Sequence, residues 1–138
     1  MLKKIYIDEW RGVRVLVRGI GTDIVEIARI EKAIKKNLSG FERRIFTEAE
    51  WEYCWNKKNP IPSLAARFAA KEAVFKALGI GLGACKWKDV EVTVAKSGKP
   101  QINLMGKAAA IASSQFISIL NISLSHSENY AIAFVVAE

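Results

Sequence analysis

The chain has 138 residues, 51% hydrophobic and 25% charged, so it fits one globular domain and excludes an intrinsically disordered protein. Its 21 Lys and Arg outnumber 14 Asp and Glu, and the net charge of +7 favours an anionic partner: nucleic acid, a phosphorylated ligand or an acidic protein. No apolar run could span a bilayer, and charges interrupt the N-terminal apolar stretches too often for a signal peptide. Since Cys54 and Cys85 lack metal-ligand spacing, we expect free thiols, a cytoplasmic location and no membrane partner.

The first half of the chain changes from strand to helical spacing. The segments "IYIDEW" and "VRVLVRGIGTDIV" are β-rich and partly alternate, which predicts strands. In "VEIARIEKAIKK", Ile27, Ile30 and Ile34 recur at three and four, which predicts the buried stripe of a first helix that ends at "NLSG". A second helix follows Thr47, which is its predicted N-cap, with Glu50 at the capping-box position.

The longest predicted helix covers residues 64 to about 78, with Ser63 as its expected cap and a glycine run after it. The alternation in "WKDVEVTVA", the turn "KSGKP" and the strand "QINL" predict a hairpin. An Ala-rich helix, "GKAAAIASSQ", and a closing hairpin over "ISLSHSENYAIAFVVAE" follow. The order β-α-α-α-β-β-α-β-β is typical of an α+β fold.

Asp23, in "GIGTDIVEI", is the first candidate for chemistry. On an alternating strand it faces the same side as Gly21, where the absent side chain would leave room for a ligand to approach the backbone. A metal or phosphate site is one interpretation, and a carboxylate that caps the following helix is the other. The pattern leaves both open, and Gly19-Ile20-Gly21 lacks the third glycine of a dinucleotide-binding motif.

Glu72 is the second candidate, because it lies between Phe68 and Phe75 on one face of the longest helix, where an unpaired acid is costly to bury. It could form an ion pair with Lys76 at i+4, or it could bind a cation. With Asp23, and without a His or Cys cluster, it suits Mg²⁺, which takes few protein carboxylates and completes its shell with water and phosphate. Three residues of the same helix would supply positive charge for that phosphate: Arg67, Lys71 and Lys76.

Two further features carry or can carry positive charge. His126, the only histidine, follows a predicted strand beside Ser125; a single His is more often structural than catalytic, yet ligand groups converge at strand ends. A basic ridge on the first helix consists of Arg29, Lys32 and Lys36. Such a ridge is usually a solvated face, but an acidic partner docked on it would lie close to a metal at Asp23.

From Gly19 to its end the chain resembles the holo-acyl-carrier-protein synthases, the small bacterial type of 4′-phosphopantetheinyl transferase. The resemblance depends on six segments in the family's order: "GIGTDIVEIARIEK", "FTEAEWEYC", "SLAARFAAKEAVFKALGIG", "WKDVEV", "SGKP" and "ISLSHSENYAIAFVVAE". It implies an α+β subunit in which an antiparallel sheet packs with one long and several short helices, within a homotrimer that has its active sites between subunits. It also divides the chain into an extra segment of unknown role, residues 1–18, and a transferase domain, residues 19–138.

The family transfers 4′-phosphopantetheine from coenzyme A to a serine of apo-acyl-carrier protein in fatty acid biosynthesis, with Mg²⁺, and releases adenosine 3′,5′-bisphosphate. The resemblance implies these metal ligands: Asp23 and Glu72. It implies these catalytic residues: Glu72, Lys76 and His126. Contacts to coenzyme A would come from Arg67, Lys71, Lys76, Gly81, Ser125 and His126, and contacts to the carrier protein from Arg29, Lys32 and Lys36. Asp23 and His126 would belong to one subunit and Glu72 to the next.

Two other functions compete with this one. A nucleic-acid-binding module would fit the net charge, but the aromatic residues lie on helical faces and not on a strand platform where bases could stack, so we expect no nucleic-acid partner. An inactive relative would not need the intact set Asp23, Glu72 and Lys76. One departure from the family is Ile80 in "GIGLG", where a Thr is usual and a hydroxyl contact to coenzyme A would be lost.

Overall fold

The computed structural model describes residues 16–138. In chain order its elements are β1 (Gly19–Glu26), α1 (Ile27–Lys36), α2 (Leu38–Ile45), α3 (Glu48–Trp55), α4 (Ile61–Leu78), β2 (Val90–Val94), β3 (Pro100–Leu104), α5 (Gly106–Ser114), β4 (Leu120–His126) and β5 (Tyr130–Ala137). A short 3-10 helix, Trp87–Asp89, precedes β2. The predicted α+β fold is confirmed. The strands predicted before Leu16, and most of the extra segment 1–18, lie outside the described residues.

The predicted N-cap and the predicted buried stripe are both present. Ile27, Ile30 and Ile34 are buried along α1. At the start of α3 the Glu50 N–H donates to Thr47 Oγ1 at 3.3 Å, and the Thr47 N–H donates to Glu50 Oε2 at 2.8 Å. These reciprocal bonds form the capping box, so both predictions are confirmed.

One helix was missed and one helix boundary differs from the predictions. The first helix ends at "NLSG", as predicted, with Asn37 as its C-cap, but Asn37 Oδ1 also accepts a hydrogen bond from the Gly40 N–H at 3.0 Å and so caps α2, a helix the pattern missed. α4 begins at Ile61 with Pro62 in its first turn, so the prediction that Ser63 caps it is wrong. Proline is tolerated there because the first N–H groups of a helix have no intrahelical partner.

Close packing of α4 on β1 explains the glycines before Asp23. The antiparallel sheet has the order β1-β5-β4, β2 and β3 pair separately, and α4 contacts both β1 and β5. A Cβ on Gly21 would lie 1.8 Å from the Ala73 carbonyl oxygen, and one on Gly19 would lie 2.0 Å from that of Ala77. The space beside Gly21 is therefore filled by the backbone of α4, and the prediction that a ligand approaches there is wrong.

The two faces of the three-stranded sheet differ in burial. The inner face packs on α4, which contributes buried residues to both hydrophobic clusters of the described chain. The outer face is apolar yet exposed: Ile20 is 63% exposed, Ile24 59% and Phe134 45%. In the described part of the chain, no helix combines the length and the apolar character needed to cross a membrane.

Candidate active site

Asp23 and Lys76 meet where β1 packs against α4. Asp23 lies on the inner face of β1 with its side chain 16% exposed, and its Oδ1 accepts a hydrogen bond from Lys76 Nζ at 3.0 Å. The same ammonium donates to the Thr22 carbonyl oxygen at 2.8 Å. The close approach of β1 to α4 at Gly21 places these two elements near enough for the contact. Asp23 therefore does not cap the helix that follows, since the cap position of α1 is Glu26 and carries no side-chain hydrogen bond.

Glu72 lies one turn before Lys76 on α4 and is half-buried. Burial raises the pKa of its carboxyl, the negative charge of Asp23 raises that pKa further, and the positive charge of Lys76 lowers it. Among the described residues, the ion pair of Lys76 is with Asp23 and not with Glu72. The i+4 ion pair is thus not formed, and two carboxylates and one ammonium share one site.

This arrangement corrects the expected division between subunits. The side chain of Asp23 contacts α4 of its own chain, and its charge acts on Glu72 of the same chain. The expectation that Asp23 and Glu72 come from different subunits is therefore wrong. His126 behaves differently: Ala131 pairs with both Val25 and His126, so His126 lies two strands from β1, about 10 Å at the usual strand spacing.

The donor set fits a hard cation. No group of three or more His, Cys, Asp and Glu side chains that could hold a metal occurs within residues 16–138. The pair Asp23 and Glu72 provides only carboxylate oxygens, and mutual repulsion contributes to the raised pKa of Glu72. A cation that needs one or two protein carboxylates, as Mg²⁺ does, would relieve that repulsion.

Lys71, expected to meet a phosphate, is instead a structural cation. Its side chain is fully buried, and its Nζ donates to Glu50 Oε2 at 2.8 Å, to the Val90 carbonyl oxygen at 2.6 Å and to the Trp87 carbonyl oxygen at 3.2 Å. Glu50 in turn accepts from the Val92 N–H at 2.7 Å. All three donors of the ammonium are used, so the phosphate-binding role predicted for Lys71 is wrong.

Arg67 is buried, and no carboxylate within residues 16–138 forms an ion pair with it. It is 4% exposed, and its guanidinium carbon lies 4.5 Å from the ring centroid of Tyr53. Nη1 reaches the Ser63 carbonyl oxygen at 3.5 Å, and Nε has no hydrogen-bond partner among the described residues. Arg67 shares the α4 face of Lys71, four residues away, and not that of Glu72. Its role in ligand binding stays a prediction.

The remaining predicted residues are on the surface. Ser125 and His126 are exposed at the end of β4, and Gly81 is exposed in the loop after α4, where an added Cβ would meet nothing within 4 Å. The basic ridge is exposed along α1, as its buried stripe requires: Arg29, Lys32 and Lys36. Ile80, which replaces the usual Thr, packs against the hydrophobic core.

A groove of about 1130 Å³ opens between α2 and the loop that follows α4. Phe41, Phe68 and Trp87 form its apolar wall, and Phe68 stacks on Trp87 with the ring centroids 5.0 Å apart. Its lining also includes four basic residues: Arg43, Arg44, Lys86 and Lys88. Phe68 precedes Glu72 by one turn of α4, so the groove begins next to the carboxylate site.

Known proteins resemble this chain over nearly its whole described length. The family model of the 4′-phosphopantetheinyl transferase superfamily matches residues 19–135. The chain belongs to this superfamily. A holo-[acyl-carrier-protein] synthase of Moorella thermoacetica is 47% identical over 118 residues, 86% of this chain and 91% of the relative, and one of Chlamydia caviae is 50% identical over 119 residues, 85% and 93% of the two chains.

Solved structures agree with the fold. Holo-[acyl-carrier-protein] synthase from Neisseria meningitidis matches with a TM-score of 0.82 and 38% identity, covering 89% of this chain and 99% of that one. The Helicobacter pylori synthase, solved in complex with coenzyme A, matches with a TM-score of 0.76 and 36% identity, covering 86% and 99%. The resemblance read from the six sequence segments is therefore confirmed.

Proposed function

We propose that this chain is a holo-acyl-carrier-protein synthase, which transfers 4′-phosphopantetheine from coenzyme A to a serine of apo-acyl-carrier protein in a Mg²⁺-dependent reaction of fatty acid biosynthesis. The observation that carries the proposal is the cluster of Asp23, Glu72 and Lys76 in a member of this superfamily. A cytoplasmic location, and the absence of nucleic-acid and membrane partners, stay predictions.

The residues of the cluster have complementary roles in the proposed reaction. The serine oxygen forms a bond to the phosphorus that carries the pantetheine, and the bond from that phosphorus to adenosine 3′,5′-bisphosphate breaks and leaves the electron pair on the departing oxygen. Asp23 and Glu72 would hold Mg²⁺, which supplies Lewis-acid stabilisation of the phosphate charge. Lys76, whose side chain is exposed, binds the diphosphate. Its positive charge stabilises the negative charge that develops on the leaving group. Glu72 positions a water that accepts the serine proton, with His126 as the second candidate base.

Arg67 remains a candidate for a phosphate of coenzyme A, on the α4 face of Lys71. Among residues 16–138 no carboxylate pairs with its buried guanidinium, a state that is unfavourable until an anion approaches it. Gly81 lies in open space in the loop after α4, so a nucleotide can approach its backbone closely. Lys71 has no part in this site, because all three donors of its ammonium are already used.

We also propose a homotrimer. The exposed apolar face of the three-stranded sheet supports it, since patches of that kind usually mark an interface. Ser125 and His126 lie at the edge of the same sheet, two strands from Asp23, and would complete the site of a neighbouring subunit. Size-exclusion chromatography with light scattering tests the assembly, and a monomer at micromolar concentration would contradict it.

The transfer itself is tested by weighing the carrier. Apo-acyl-carrier protein is incubated with coenzyme A, Mg²⁺ and the enzyme, and mass spectrometry should show a gain equal to phosphopantetheine. Asp23→Ala and Glu72→Ala should abolish the gain at limiting Mg²⁺ and leave the circular dichroism spectrum unchanged, because a metal held by two carboxylates depends on each. No gain with the wild type under any divalent cation would refute the proposed function, and near-wild-type rates for either variant would refute the metal assignment.

The basic ridge and the groove support a carrier-protein surface. Positive charge on α1 and on α2 attracts an acidic partner over about 8 Å at physiological salt and guides it toward Glu72. Arg29→Glu should therefore raise the KM for the carrier protein by about tenfold, a cost of the size seen for charge reversal at an interface. The KM for coenzyme A should stay the same, and added salt should bring the wild type toward the variant. A change confined to the KM for coenzyme A would instead indicate that the ridge belongs to the nucleotide-binding site.

A further inference from the structure

The ammonium of Lys76 forms an ion pair with Asp23, one of the two carboxylates that would bind the metal. Lys76 Nζ lies 3.0 Å from Asp23 Oδ1 and 2.8 Å from the Thr22 carbonyl oxygen, so it is fixed on the β1 side of the site. In this position it neutralises one of the two carboxylates. A cation that arrives at Asp23 and Glu72 meets this resident positive charge and one remaining carboxylate charge.

In that position Lys76 offers little to the diphosphate of coenzyme A. Two of the three donors of its ammonium point at Asp23 and at the Thr22 carbonyl oxygen, so at most one is left for a phosphate oxygen. The side chain of Lys76 is 52% exposed and its stem is flexible, so it can leave Asp23 by rotation about its own bonds. A phosphate is the stronger acceptor once a divalent cation has taken the Asp23 charge.

We propose that Lys76 is an exchangeable counter-ion: it holds Asp23 in the free enzyme and moves to the diphosphate when metal and coenzyme A bind together. The inference depends on the proposed function. Metal binding releases Lys76 to the diphosphate, and the diphosphate removes Lys76 from the metal ligand, so each ligand strengthens the binding of the other. By linkage this coupling is reciprocal. The free enzyme therefore binds the metal weakly, and a full site forms only with both ligands.

Mn²⁺ titration of the free enzyme, followed by the electron paramagnetic resonance signal of unbound Mn²⁺, tests the exchange without any transfer reaction. The proteins are the wild type, Lys76→Met, Lys76→Gln and the control Lys96→Met, whose lysine is exposed in the turn between β2 and β3. Without coenzyme A, both Lys76 variants should bind Mn²⁺ about tenfold more tightly than the wild type and the control, a usual size for coupling between two ligands.

The same titration in saturating coenzyme A completes the thermodynamic cycle. Coenzyme A should tighten Mn²⁺ binding by the wild type and the control and have a much smaller effect on both Lys76 variants. Equal Mn²⁺ affinity of wild type and both Lys76 variants without coenzyme A overturns the exchange, as does unchanged coupling in those variants. Phosphopantetheine transfer by the wild type, weighed on the carrier, would show in either case that the proposed function stands. If no protein binds Mn²⁺ and no transfer occurs, both inferences fail.

Discussion

Lys71 and Lys76 belong to the same helix, α4, and lie in opposite environments. The Lys71 side is closed: its ammonium is fully buried and all three donors meet oxygen atoms of α3, β2 and the 3-10 helix. The Lys76 side is open: its side chain is 52% exposed, and one carboxylate and one carbonyl oxygen hold it. The comparison shows that the surroundings of a lysine, more than its place in a motif, decide whether it stabilises the fold or can bind a ligand.

The pKa directions on the two sides have the same principal cause. Desolvation lowers the pKa of Lys71, and the nearby carboxylate of Glu50 opposes it. Desolvation also raises the pKa of Glu72 on the open side, but there a second carboxylate, Asp23, adds to it. On the closed side the opposite charge is already present. On the open side Lys76 pairs with only one of the two carboxylates, so an added cation would be favourable, as the proposed Mg²⁺-dependent reaction requires.

The largest predicted effect is on the closed side. Lys71→Met should lower the free energy of unfolding by about 3–5 kcal/mol, because it leaves the Glu50 carboxylate buried without its counter-charge. Lys76→Met is the matched control on the same helix, and it should cost less than about 1 kcal/mol because its ion pair is exposed. Urea unfolding followed by circular dichroism measures both.

A double variant separates the charge from the packing. Glu50→Gln together with Lys71→Met removes both buried charges, and it should recover part of the stability lost in Lys71→Met alone. Equal stability losses for Lys71→Met and Lys76→Met would contradict the distinction between a closed and an open side.

The next effect concerns the contact that joins β1 to the open side. Gly21→Ala places a Cβ 1.8 Å from the Ala73 carbonyl oxygen, so β1 and α4 must move apart. We expect a stability loss of about 1–3 kcal/mol, the usual cost of overpacking, and a loss of transfer activity because Asp23 moves away from Glu72 and Lys76. Gly81→Ala is the control for stability, since its added Cβ meets nothing within 4 Å. Unchanged stability in Gly21→Ala would show that the sheet and helix can separate freely.

Local signals in the sequence predicted a large part of this arrangement. The capping box of Thr47 and Glu50 and the buried stripe of α1 depend on residues three or four apart, and both are present. Asp23 and Glu72 could be named because a carboxylate beside glycines and a carboxylate between aromatic residues are both unusual. The family segments identified the superfamily for the same reason, since they are local and in a fixed order.

Tertiary partners were the part that the sequence could not supply. Glu50 was recognised as a capping residue, but its second role as the partner of Lys71 depends on a contact between α3 and α4. Gly21 was interpreted as space for a ligand, although the backbone of α4 fills that space. The same contact places Asp23 and Glu72 in one chain, against the division between subunits that the resemblance implied.

The smallest predicted effect is on the two thiols, one buried on α3 and one partly exposed in the loop after α4. Cys54 is fully buried on α3, one turn after Glu50, and burial raises its pKa above the ordinary 9.0; Cys85 is only partly buried, and burial raises its pKa too. A disulfide reagent at pH 8 should modify Cys85 first and Cys54 at least about tenfold more slowly, since an opening that costs about 1.4 kcal/mol already lowers the rate tenfold.

Labelling of the Lys71→Met variant tests the distinction between the Lys71 and Lys76 sides of α4. Loss of the buried ion pair should speed modification of Cys54 and leave that of Cys85 nearly unchanged, while Lys76→Met should alter neither. The pH dependence of stability has a defined sign. Because the raised pKa keeps the Cys54 thiol protonated in the folded state, the contribution of Cys54 to the free energy of unfolding is complete below pH 9.0. It is lost as the pH rises through the raised pKa. Peptide mapping after timed labelling identifies each cysteine. Equal rates for the two thiols in the wild type would mean that the side of α4 described as closed opens readily.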